Sequence, residues 1–324
     1  MIIESDYLTE GLFGQIFVWM LEVLPYVHSR GWRPEWRIRS KNYGQPPYFN
    51  IFPGIIQTTY QPDDEKGVVR FEELERRNKF NFRHDFGKAR DYWRSYFCFT
   101  QDVYDRAERY WTDNMSGKTV LGIHYRGTDK NTDFWQSNPV SRYQFLSIVE
   151  DFLSMHPDIT AIFIASDDAN FVEAIGKVLP IHYHEQPRSR GRMPTWNSHD
   201  VDQNVAIAKA AILDCLTLSR CRYVLKCMSQ LSAFSKVFNP DLEIYRVSAF
   251  KLGWFPEAYI PLYRSKNKAI QALLDVLQRD DYRASLGRKI LGFHRRLMRI
   301  AVKGWKERAA IGAEIQRRLF RVNN

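Results

Sequence analysis

Residues 119–130 read TVLGIHYRGTDK, an apolar run that closes in charge instead of in turn residues. A run without polar alternation predicts a strand buried on both faces, here 119–124. The same signature returns in TAIFIA (160–165), at 223–225 and at 243–247, with a shorter strand expected at 180–184. Helical patterns fall between them at 141–155, 169–178, 201–219 and 232–238; in the first, Tyr143, Phe145, Leu146, Val149, Phe152 and Leu153 share one face. Strands alternating with helices give a parallel sheet covered on both sides. Ligands of such sheets bind beyond the C-terminal ends of the strands. The residues to inspect are therefore His124 to Lys130, Ser166-Asp167-Asp168, and Lys226 to Ser232. Three polar loops on one rim predict a site.

Upstream, IIESDYLTEGLFGQ reads as a short strand, a glycine turn at Gly11 and Gly14, and a helix over 16–29 that stops at Gly31. A helix N-terminus after a glycine turn suits an anion. Residues 32–66, rich in Pro, Gly and aromatics, read as irregular, and 67–116 as mostly helical. Gly117-Lys118 marks the expected boundary, giving domains at 1–116 and 117–265 and a tail at 266–324.

The formal net charge of +10 belongs to that tail, where 15 Lys and Arg face 5 Asp and Glu; the rest of the chain is neutral. A neutral body argues against a groove that tracks nucleic acid. In the tail, Leu286, Ile290, Phe293, Leu297 and Ile300 fall near helical spacing among basic clusters. This pattern suits a helix lying on an anionic membrane, and equally one covering the N-terminal domain or a solvated basic face. Four cysteines without CxxC spacing read as reduced thiols. No leader is expected from the opening Met1-Ile2-Ile3-Glu4, and no run approaches membrane-span length, so a cytoplasmic protein is expected, with peripheral contact through 266–324.

Chemistry gathers after the strands. Arg126 offers a planar fork for two phosphate oxygens, Gly127 permits close backbone approach, and His124 can donate to the same group. Ser229 and Ser232 sit where a helix begins and can face an anion. The Walker spacing is absent, which excludes a P-loop ATPase. Asp167-Asp168 can hold a metal, cap the helix at Ala169 or contact a ribose; the cap or ribose reading is favoured, and no metal is expected. His182 and His184 have no third ligand at suitable spacing and are not assigned to zinc. The abundant aromatics of the first half read as packing.

At HYRGTDK and its partner segments the chain resembles the GDP-fucose-dependent fucosyltransferases, the nodulation (NodZ), α1,6- and protein-O-fucosyltransferases. Three segments match in order: His124, Arg126 and Asp129 after a strand; Ser166-Asp167-Asp168 after the next; and ILDCLTLSRCRYVLKCMSQLSAF, with Asp214, Ser229 and Gln230. GLFGQIF resembles the family's glycine loop, and YFNIFPG its aromatic segment. The resemblance implies a GT-B-like α/β fold of two Rossmann-like halves, the second holding the nucleotide sugar. It implies an inverting transfer of fucose from GDP-fucose to a glycan hydroxyl. Arg126 and His124 would hold the β-phosphate, Asp214 the guanine N1–H and 2-amino group, and Asp168 or Asp167 would lie near the ribose. Ser229 and Gln230 would meet the diphosphate or sugar, and the amides around Gly14 the nucleotide. Many relatives carry a second arginine where this chain has Gly127, and the nearest candidate base, Asp133, falls one position short of theirs. Another nucleotide sugar, or a non-catalytic sugar-nucleotide-binding or membrane-associated protein, stays open on these residues.

Overall fold

The computed structural model describes residues 1–6, 8, 11–44, 49–64, 67–77, 81–128, 140–191, 201–248, 258–261 and 269. Asp129, Lys130, Asp133 and, Ala269 apart, the basic tail lie outside them.

Strand β1 (Ile2–Glu4) leads through a π-helical turn, Leu12–Ile16, into α1 (Phe17–Ser29). Both glycines therefore sit at or inside the start of a helix rather than in a loop before it. Gly11 is its N-cap and Gly14 lies within the π turn. Helix α1 is apolar nearly all round, and Phe17, Val18, Met20, Leu21, Val23, Leu24 and Val27 are buried. Next come β2 (Glu35–Arg37), β3 (Ile56–Thr58), β4 (Val68–Arg70), α2 (Phe71–Arg77), α3 (Phe86–Tyr96), β5 (Phe97–Phe99) and α4 (Gln101–Asn114). A parallel sheet of order β2-β1-β4 forms, and β3 pairs with β5 antiparallel. The segments expected to be irregular or helical thus hold four strands. Each is three residues long, too short for alternation to show in the sequence.

The second half follows the pattern closely. It comprises β6 (Val120–Tyr125), α5 (Arg142–Met155), β7 (Ala161–Ser166), α6 (Ala169–Gly176), α7 (Val201–Arg220), β8 (Tyr223–Lys226), α8 (Gln230–Phe238), β9 (Glu243–Ser248) and β10 (Ala258–Pro261). All five strands run parallel in the order β10-β9-β8-β6-β7. Helix α5 starts where Ser141 and Gln144 close a capping box. The strand expected at 180–184 is reduced to one bridge, His182 alongside Phe163, before the chain turns away. The α/β class, with a parallel sheet in each half, is the expected one.

Leu121, Ile123 and Tyr125 of β6 face α5 and α6, while His124 on the opposite pleat meets α8. At Gly122, on that same pleat, a Cβ would stand 2.8 Å from Leu218 Cδ2, so this glycine lets α7 press onto the strand. Gly117 turns the chain from α4 into β6 at φ +71°, a conformation that favours glycine. Although α4 precedes that turn, Tyr110 and Trp111 pack with the second sheet's core.

The halves share one aromatic core. Phe234 of α8 stands 5.6 Å from Phe13, 5.9 Å from Phe17 and 5.1 Å from Trp93, ring to ring. All four cysteines are free thiols. Among the described residues no helix is long and apolar enough to cross a membrane. Replacing Phe234 by alanine removes a ring that packs α8 into the aromatic core of the first half. We expect a loss of about 3–5 kcal/mol in urea unfolding, typical of a buried Phe→Ala; an unchanged midpoint would show that the halves pack independently of it.

Candidate functional site

His124 ends the apolar part of β6 and is 5% exposed. Its Nδ1 lies 2.7 Å from the Ser232 hydroxyl, whose other contact, the Ser229 carbonyl, is at 3.4 Å. If the hydroxyl donates to that carbonyl, Nδ1–H is the donor to Ser232; if it donates to Nδ1, the ring proton sits on Nε2. Burial, then the Arg126 and Lys226 charges, push this imidazole down to about 3, so it is neutral at physiological pH. Ser232, expected at the anion, is instead the group that orients His124.

Lys226 of β8 is in register with His124, and Arg246 of β9 with Lys226. In-register residues of parallel strands share a face, so these three form a row on the α8 side of the sheet. Lys226 and Arg246 are completely buried. Sequence reading placed Lys226 in a loop and passed over Arg246; the signal was a cation inside each of two otherwise strand-like segments, YVLK and EIYRVS.

Beyond the strand, Asp167 organises the loop. Its carboxylate accepts from the Gly127 amide at 3.2 Å and the Thr128 hydroxyl at 2.5 Å, and lies 3.6 Å from Arg126 Nε. Arg126, a quarter exposed, is thus aimed by Asp167. Tyr43 hydrogen-bonds the Leu12 backbone in the π turn and feels the Arg126 charge; burial pushes its phenol up to about 12. A Cβ on Gly14 would meet nothing within 4 Å, so the turn is open there.

The neighbouring carboxylate has another job. Asp168, 1% exposed, caps α6 by accepting from the Asn170 and Phe171 amides at 3.0 and 3.2 Å. It also takes both arms of Arg142, at 2.9 and 3.1 Å. Of the two roles expected for Asp168, the cap is the one its geometry fills. A side chain at Gly127 would overlap the Asp168 carboxylate and the Tyr125 ring. The position where relatives were expected to carry a second arginine is sterically closed.

Asp214 lies on α7, 5% exposed. Oδ2 accepts from Gln186 Nε2 at 2.8 Å; Oδ1 is buried with no hydrogen-bond partner among the described residues. Arg188 stands near but is occupied by the carbonyls of His184, at 2.6 Å, and Ser166, at 3.2 Å. Tyr110 closes the same region, its ring centroid 3.9 Å from that of His184 at a tilt of 50°, and His184 Nε2 meets Thr217 at 2.9 Å. Ser229 occupies the N-cap position of α8 with no side-chain cap bond, and the Oε1 of Gln230 is buried with no partner among the described residues. Among the described residues no three His, Cys, Asp or Glu side chains gather as a metal site. His124, Arg126, Ser229 and Gln230 lie where β6 and β8 end and α8 begins, and Tyr43, bonded to the turn that carries Gly14, feels the Arg126 charge. Gln186, Tyr43 and Ser232 were missed as supports because their partners are 28, 31 and 108 residues away or more.

No family model matches the chain, and no curated protein matches its sequence. Among solved structures it is similar to NodZ α-1,6-fucosyltransferase soaked with GDP-fucose, at 14% identity over 73% of this chain and 91% of that one, TM-score 0.47. It is also similar to the selenomethionine form of NodZ from Bradyrhizobium, at 13% identity over 72% and 90%, TM-score 0.47. A third similar structure is POFUT1 in complex with GDP, at 11% identity over 80% and 98%, TM-score 0.40.

Burial pushes the Asp214 carboxyl up to about 7 from its ordinary 3.8, against the opposing pull of the Gln186 amide and the Arg188 charge. Between about pH 4 and pH 7 the ligand-free folded chain keeps a proton that the unfolded chain has released. This contribution to stability therefore falls as pH rises through that window and levels above it. Denaturant unfolding from pH 4.5 to 8 should show wild type losing stability relative to Asp214→Asn, on the order of 1 kcal/mol per pH unit. Parallel curves would mean that Asp214 is solvated.

Proposed function

We propose that the protein is a glycosyltransferase that moves fucose from GDP-fucose to a glycan hydroxyl with inversion, without a metal. The observation that carries this reading is Asp214, a buried carboxylate with one oxygen bonded to Gln186 and the other without a partner among the described residues. Burying an unsatisfied acceptor is costly, and such a group calls for a ligand that donates. The Watson–Crick edge of guanine presents two adjacent donors, N1–H and the 2-amino group, which an ionised carboxylate accepts; uracil and adenine do not offer that pair.

The leaving group meets the rest of the cradle. In a single displacement the acceptor oxygen attacks C1 of the fucose, the bond from C1 to the β-phosphate oxygen breaks, and GDP departs with the electron pair. Charge grows on the β-phosphate as it leaves. Arg126, aimed by Asp167, and neutral His124 in its Nε2–H tautomer are placed to stabilise it, with the first amides of α8 beside them. Buried Lys226 and Arg246 add positive potential behind them. The proton of the acceptor passes to a carboxylate, for which Asp133 remains the proposed base. Asp167 and Asp168 support the metal-free reading, since the loop amide, Thr128, the α6 cap and Arg142 engage their oxygens. We assign Asp168 to holding the rim and place the donor on Arg126, His124, Asp214, Ser229, Gln230 and the turn carrying Gly14.

Calorimetric titration with GDP, UDP and ADP, each with and without EDTA, tests the reading. We expect GDP alone to bind, equally with EDTA, and Asp214→Ala to erase the preference for guanine. Arg126→Ala should lower donor turnover by roughly 10²–10³, the scale for removing one charge-stabilising donor. Binding of UDP in place of GDP, or a metal requirement, would overturn the assignment.

A further inference from the structure

A second cleft lies at the other end of α8. It encloses about 530 Å³ between α3 and α4 of the first half and the C-terminal turns of α7 and α8. Its position is separated from the cradle by the length of α8, about 12 Å at 1.5 Å per residue. The size falls within the range of small-molecule sites, roughly 300–1,000 Å³.

The lining has two parts. Tyr104 and Phe238, both half-buried, offer aromatic surface, and Trp93 and Phe97, each 1% exposed, close the floor behind them. Around these rings stand planar polar groups. Gln101, Asp105 and Glu108 follow at helical spacing on one face of α4, with Gln101 donating to Asp105 at 2.7 Å. Arg94 and Arg220 complete the rim, Arg220 paired with Glu108. Two arginines against two carboxylates leave no net charge to draw a polyanion or a cation. Fixed carboxylate, amide and guanidinium planes instead suit a neutral molecule that alternates donors and acceptors over a short span.

A pyranose has that chemistry. Its C–H face lies against aromatic rings, while vicinal hydroxyls accept from and donate to planar side chains. A purely apolar ligand would strand the rim, and a nucleotide would bring uncompensated charge. We propose that this cleft is a carbohydrate subsite, separate from the donor cradle, that holds one or two pyranose units of a neutral glycan. The inference rests on the cleft alone and stands whether or not the transferase reading does. Because α3 and α4 come from one half and α7 and α8 from the other, a bound glycan would bridge the seam between them.

Saturation-transfer NMR and calorimetry on the full chain, with cellobiose, lactose and N,N′-diacetylchitobiose as probes and no nucleotide present, test it. At least one disaccharide should bind. The Gln101→Ala/Asp105→Ala double variant should weaken it by about tenfold, the loss expected for a charge-assisted hydrogen bond. Both positions are exposed, so the melting temperature should hold; Asp105→Asn, which keeps the shape, serves as the second variant and should weaken binding less. Failure of all three sugars to bind would overturn the proposal. So would binding that neither variant alters, since the sugar would then sit elsewhere.

Discussion

Phe234 leaves α8 on one side and enters the aromatic core of the first half, among Phe13, Phe17 and Trp93. Two residues earlier, Ser232 on the same helix holds His124 at the end of β6. At its start, α8 sets Ser229 and Gln230 at the rim. One nine-residue helix therefore joins the two cores, orients the buried imidazole and presents its own amides. Packing and site cannot be varied separately. A shift of α8 that relieved the aromatic contacts would move the Ser232 hydroxyl off Nδ1. The ring stack fixes the helix, and the helix fixes the chemistry.

Desolvation then sets the charge states. It holds His124 neutral although Arg126 and Lys226 are close, and those cations push the same way, since a second positive charge beside them is unfavourable. It raises Asp214 because only the Gln186 amide and the Arg188 charge, already engaged by two carbonyls, oppose it. One group is thus ready to donate without carrying charge, and the other ready to accept once ionised. A donor whose base releases a proton from Asp214 on binding would bind more tightly as pH rises through that carboxyl's range. Lys226 and Arg246 add buried positive charge from the sheet, while Gly127 is too tightly packed to be replaced by a second arginine on the loop.

The second half was legible because its long strands, β6, β7 and β9, are six residues each and the pattern between them repeats with helical spacing. The first half was not, because three-residue strands carry too little pattern and owe their pairing to distant partners such as Ile2 with Glu35 and Val68. In the candidate site, His124, Arg126 and Asp214 were singled out from chemistry and resemblance. Asp167 and Asp168 were an adjacent pair in the sequence and separate in function, one ordering the Arg126 loop and the other capping α6 under Arg142. Only packing reveals that division, since it depends on where Gly127 and Arg142 lie. Lys226 and Arg246 were hidden for a different reason. A charged residue in a strand reads as an edge or a strand end, and their complete burial depends on layers the sequence does not order.

Asp167 also constrains how an anion can enter. Arg126 Nε stands 3.6 Å from its carboxylate, too far for a hydrogen bond and near enough to direct the guanidinium. A diphosphate must either share the fork with Asp167 or displace it. Displacement is costly, because the same carboxylate holds the Gly127 amide and the Thr128 hydroxyl, and losing those contacts would release the loop that carries Arg126. Sharing leaves the loop intact and lets phosphate oxygens take stronger bonds than the loose pair provides. The arrangement therefore favours an anion that approaches from the open side, by the turn carrying Gly14, with Asp167 remaining behind the arginine as its support.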